Sequence, residues 1–122
     1  MQNEIFVYIR TEHFCRATSY TDAWGCPLTL AVRDIVNISE ENEYLVSCCL
    51  GSVIIRNLEI GINFGYEVTC DWCDLQTLYT GELEGKTINQ MIIMAKEDPN
   101  LEFPPLVLKL TLREKWKTGL DD

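Results

Sequence analysis

The stretch at residues 43–68, EYLVSCCLGSVIIRNLEIGINFGYEV, decides the fold. Its first eight residues read as a strand, and Gly51-Ser52 as a two-residue hairpin turn. Beyond the turn, Ile54, Leu58, Ile60, Ile62 and Phe64 hold even positions, while Asn57, Glu59 and Asn63 are odd. Side chains alternate across a strand, so this period of two predicts one long strand with its even residues inward, interrupted only by Arg56. Phe64-Gly65 offers a second turn into YEVTCDWCDLQTLY. There Tyr66, Val68, Cys70 and Trp72 share one face, and Glu67, Thr69 and Asp71 the other.

Upstream, IFVYI at 5–9 is strand-like, rich in β-branched and aromatic residues. RTEHFCRATSYTDAWG at 10–25 keeps no period and reads as an irregular loop closed by Gly25. A helix is predicted over 27–36: Pro27 suits its first turn, and Leu28, Ala31, Val32, Ile35 and Val36 fall on one face. Downstream, Thr87 can cap a second helix with Ile88, Met91, Ile92 and Ala95 inward, ending before Pro99. LVLKLTLR at 106–113 alternates again, with Leu106, Leu108, Leu110 and Leu112 inward and Lys109, Thr111 and Arg113 outward. The last residues, KWKTGLDD, read as frayed. The expected architecture is a single α+β domain over 1–122. It has a mostly antiparallel sheet of five to six strands, two helices on one face, and a ferredoxin-like βαββαβ topology with an added strand.

At 122 residues the chain can bury a core without staples. It holds no apolar run of the roughly 18 residues that a membrane helix needs, and MQNEIFVYIR lacks the features of a signal peptide. A cytoplasmic location is expected. In that compartment thiols stay reduced, so the six cysteines are expected to be mostly small buried hydrophobes rather than a disulfide framework.

Cys70 and Cys73 form a CxxC. A zinc site would need the backbone to turn between them and two further ligands, and the best completion is His13 with Cys15, giving Cys₃His. Asp71-Trp72 is a poor turn, and residues three apart on a straight strand face opposite ways. A redox pair would need a following helix, which DLQTLYTGEL does not promise, and flanking Asp71 and Asp74 oppose a low thiol pKa. Cys70 is therefore expected to pack inward beside Trp72. No cofactor is expected.

Catalytic residues are not expected either. A Cys15–His13 pair two apart on a strand has no third orienting group, and GELEGKT lacks the spacing of a phosphate-binding loop. Charge is more informative. The net charge is −9, and the region 40–102 carries twelve acids against three bases; between Asn57 and Gly85 six carboxylates occur without a Lys or Arg. Such a surface disfavours nucleic acid and anionic membrane as direct partners. It favours a basic protein, steered by a patch of Glu59, Glu67, Asp71, Asp74, Glu82 and Glu84 with Tyr79 as an aromatic anchor, or else Tyr20 and Trp24. The expected function is a non-enzymatic acidic inhibitor of the immunity, antitoxin or phage-encoded type. It would block a nucleic-acid-handling enzyme or nuclease toxin. The alternatives are a structural or adaptor subunit and a small zinc module using Cys70 and Cys73.

Overall fold

The computed structural model describes residues 2–19, 22–36, 44–49, 51–68 and 85–117. In chain order these form β1 (Glu4–Ile9), α1 (Thr11–Arg16), α2 (Pro27–Val36), β2 (Tyr44–Cys49), β3 (Ser52–Asn57), β4 (Ile62–Val68), α3 (Ile88–Glu97) and β5 (Leu106–Lys117). The strands make one five-stranded sheet in the order β1-β5-β4-β3-β2, antiparallel throughout. The protein is thus α+β, with helices against one face of an antiparallel sheet.

The ferredoxin-like order is not adopted. Strands β2, β3, β4 and β5 lie side by side in chain order, with α3 inserted before β5, and β1 joins at the edge beyond β5. Hairpin closure between successive antiparallel strands is local and needs no interleaving.

β1 and β5 follow their alternation closely. Ile5, Val7 and Ile9 point inward against Leu110, Leu108 and Leu106, while Phe6 and Tyr8 face out. β5 continues to Lys117, so KWK is strand rather than frayed end. Only its first part is flanked by β1, the register ending at Glu4 opposite Thr111 with Leu112 N–H donating to Asn3 C=O at 2.7 Å. Beyond that point, among the described residues, β5 pairs with β4 alone.

The central stretch departs from the expected register. Cys49 pairs with Ser52, so the first turn falls one residue earlier than Gly51-Ser52, and Gly51 takes φ +82°. The run from Ile54 to Phe64 is two strands, not one. Asn57 ends β3, its side-chain Oδ1 accepting from the N–H groups of Glu59 and Ile60, and Gly61 takes φ +71° while donating to Asn57 C=O at 2.9 Å. Asn and Gly favour such turns because one bonds its own backbone and the other has no Cβ to clash. Leu58 and Ile60 are consequently exposed in the turn, and β3 buries its odd residues Val53, Ile55 and Asn57. Gly65 does not turn the chain. It lies within β4 beside a β-bulge, and Tyr66 and Val68 face inward as expected.

α2 spans the predicted residues with Leu28, Ala31 and Val32 buried, although Ile35 is exposed. α3 starts at the predicted cap: Thr87 Oγ1 accepts from Gln90 N–H and Gln90 Oε1 from Thr87 N–H, leaving neither donor orphaned. Residues 11–16, expected as loop, are the third helix, α1. It packs on α2 and α3, and Phe14 meets Phe103 edge-on with centroids 5.3 Å apart. Among the described residues no helix is long and apolar enough to cross a membrane.

Candidate functional site

His13, on α1, is buried, and both ring nitrogens are engaged. Arg10 N–H donates to Nδ1 at 2.9 Å, which leaves the ring proton on Nε2, aimed at Asp34 Oδ2 at 3.1 Å. The first bond explains why α1 exists, because His13 reaches back to the residue before the helix as Glu or Gln does in a capping box. Arg16 adds a bond to the same carboxylate oxygen at 2.8 Å, and Glu12 Oε1 lies 3.6 Å from Nε2. Glu12, His13 and Asp34 are close enough together for a metal ion. Binding one at Nε2 would move the ring proton to Nδ1 and oppose it to the Arg10 N–H, and Arg16 already supplies Asp34 with a cation. The cluster is a staple between α1 and α2. Cys15 cannot join His13 in a zinc site as expected for a strand: residues two apart on a helix point some 200° apart, and Cys15 is exposed. Cys70 and Cys73 lie outside the described residues.

The proposed acidic patch is divided. Glu59 sits in the β3–β4 turn and Glu67 near the far end of β4, separated by a strand length of about 17 Å at ~3.3 Å per residue. Glu67 is also paired, its Oε2 receiving Arg113 Nε at 2.5 Å, and Lys109 similarly meets Glu4. Asp71, Asp74, Tyr79, Glu82 and Glu84 lie outside the described residues, as does Tyr20. Trp24 is exposed, its N–H bonded to Asp22 Oδ1 at 3.0 Å. The Thr18 hydroxyl, donating to Asp22 Oδ2 at 2.5 Å, and then the Trp24 N–H hold the Asp22 carboxyl below its ordinary pKa.

The outer face of the sheet carries features that charge and spacing did not reveal. Phe6 (55% exposed), Tyr8 (48%) and Val107 (48%) form an apolar cluster across β1 and β5, Tyr8 lying opposite Val107, and Arg10 stacks over the Tyr8 ring at 5.6 Å. The signal was the aromatic alternation of IFVYI, whose outward members are as apolar as its inward ones. Farther along, Leu45, Arg56, Asn63 and Trp116 make one cross-strand row. Next to it lies a groove of about 250 Å³ over Gly65, walled by Trp116, Ile54 and the Arg113–Glu67 pair. A Cβ on Gly65 would approach Trp116 Cζ3 to 3.2 Å, so the missing side chain forms the floor. The volume is below the roughly 300–1,000 Å³ of small-molecule sites and suits one inserted side chain. In the row beside it, Arg56 Nε is buried without an acceptor among the described residues.

A third feature links α2 to the sheet edge. Cys26, immediately before α2, has its sulfur 3.2 Å from Thr29 Oγ1 and accepts from Thr29 N–H at 3.4 Å. The Cys48 thiol of β2 also hydrogen-bonds it, and both cysteines are buried, as expected. Cys26 is lowered from 9.0 to about 6, foremost by the Cys48 thiol and further by Thr29, against the opposing effect of burial. No protein-family model, curated protein or solved structure matches the chain.

Proposed function

We propose that this is a non-enzymatic, cytoplasmic binding protein that docks a basic protein on the open face of its sheet and blocks that partner's activity. The observation that carries the reading is the exposed Phe6–Tyr8–Val107 cluster with Arg10 stacked on it. Aromatic residues and Arg dominate the energetic centres of protein interfaces. An apolar cluster set on a rigid sheet costs little conformational entropy when it is covered.

The net charge of −9 supports a partner of opposite sign, because it raises the encounter rate at low salt and disfavours phosphate-rich ligands. Small size, acidity and a rigid docking face together favour an inhibitor of the immunity or phage-encoded type, acting on a nuclease toxin or another nucleic-acid-handling enzyme. The groove beside Trp116 would receive a single side chain of that partner.

The test is capture from host lysate on immobilised wild-type protein and on a Phe6→Ser/Tyr8→Ser variant of unchanged circular dichroism, each eluted with salt. One basic protein held stoichiometrically by the wild type, released by the variant and losing its activity on adding wild type supports the proposal. Equal retention by both proteins, or no stoichiometric partner, overturns it. Binding that leaves the partner active would assign an adaptor role instead.

A further inference from the structure

We propose that Cys26 and Cys48 are a thiol–disulfide site, oxidised by a small hydroperoxide, whose closure locks the start of α2 to edge strand β2. The two residues are far apart in sequence but meet through one carbonyl. Ala23 C=O accepts from Cys48 N–H at 3.0 Å and from the Thr29 hydroxyl at 2.8 Å, while Thr29 bonds the Cys26 sulfur through its N–H and Oγ1. The Thr29 hydroxyl has one proton, which goes to Ala23 C=O while Cys26 is a thiol and can turn to the sulfur when Cys26 is a thiolate. A Cys26 thiol can therefore donate into Thr29 Oγ1, and a Cys26 thiolate keeps the Thr29 N–H as its donor. Lying at the N-terminus of a ten-residue helix, that sulfur is placed where negative charge is favoured. Its lowered pKa agrees with the placement.

The chemistry balances in two steps. The Cys26 thiolate attacks one peroxide oxygen, the O–O bond breaks, and the alkoxide or hydroxide leaves and is protonated to alcohol or water. Sulfur has lost two electrons and stands as the sulfenic acid. The Cys48 sulfur, already in contact, then attacks Cys26 sulfur, forms the S–S bond and expels water, its own proton and the sulfenic hydroxyl making up that molecule. Restricted access makes the first step slow, since Cys26 is 1% and Cys48 7% exposed. Once it occurs, the resolving thiol already stands within hydrogen-bonding reach of it. Exposed Cys15 on α1 serves as an internal control for oxidant delivery. The inference is independent of the docking face.

The experiment treats the reduced full chain with hydrogen peroxide, alkylates the remaining thiols and maps the peptides by mass spectrometry. The expected result is a Cys26–Cys48 cross-link reversed by dithiothreitol, with the melting temperature of the oxidised form raised by roughly 5–15 °C. In Cys48→Ala, Cys26 should stop at the sulfenic acid and be trapped by a 1,3-dicarbonyl reagent. Should that variant fail to fold, the wild-type peptide map decides alone. Cys26 and Cys48 both remaining alkylatable once Cys15 is fully oxidised would overturn the proposal, as would linkage of Cys26 to any other cysteine.

Discussion

His13 Nε2 lies 3.1 Å from Asp34 Oδ2, and this contact joins two helices that the sequence separates by a loop without period. The imidazole is buried while the carboxylate is about half exposed, so the two partners should not contribute equally. His13→Ala strands the Arg10 N–H, opens a cavity and removes the helix-starting contact. A loss of about 2–4 kcal/mol is expected in urea unfolding. Asp34→Ala should cost about 1 kcal/mol or less, because water replaces much of what is lost.

The β3–β4 turn rests on Asn57 and Gly61. Asn57→Ala deprives the Glu59 and Ile60 N–H groups of their shared acceptor at a nearly buried position, and should destabilise by about 1–3 kcal/mol. Gly61→Ala forces a Cβ into φ +71° with open space around it, so the cost should be conformational alone, about 1 kcal/mol. Equilibrium unfolding of the two variants checks both values.

Arg56 offers the opposite expectation. Its Nε is already desolvated without an acceptor among the described residues. Arg56→Met keeps the apolar stem and removes the donor, so stability should be unchanged or rise by up to ~2 kcal/mol. A clear fall in the urea midpoint would show that the guanidinium makes contacts of greater weight.

Cys26 sets a pH dependence. Its folded-state pKa of about 6 lies below the ordinary 9.0, so between those values the unfolded chain binds more protons than the folded one. Stability from this group is complete above pH 9 and is lost as pH falls toward 6. Urea midpoints at pH 6 and 9 should therefore diverge more in the wild type than in Cys26→Ala, both kept reduced. Equal slopes would show that the thiol titrates alike in both states.

What could be read in advance divides along physical lines. α3 was legible because Thr87 caps it as expected and Ile88, Met91, Ile92 and Ala95 repeat at the helical period. β5 was legible because each inward leucine alternates with a residue facing out. β3 was not. Val53, Ile54 and Ile55 are apolar on both faces, so alternation could not choose between registers, and Leu58 and Ile60 continued the wrong one through a turn. The spacing of Asn57 and Gly61 was the competing signal. α1 was missed because His13 does the work that the cap pattern assigns to Glu or Gln. The Cys26–Cys48 contact is set by tertiary packing and leaves no local spacing to detect, whereas the eye-catching Cys70–Cys73 motif is set by spacing alone.

One feature of β5 bears on how the molecule meets its own copies. Among the described residues, the strand past Leu112 pairs with β4 on one side only, and a half-paired strand is a template on which a second chain can grow. The residues there are Arg113, Glu114, Lys115, Trp116 and Lys117, so the open margin is locally cationic on a protein that is anionic as a whole. Two such margins repel each other when brought into register. With Arg113 held by Glu67, Lys115 and Lys117 act as the gatekeepers at this margin, and the overall acidity that keeps the molecules apart at a distance is not what protects the strand at contact.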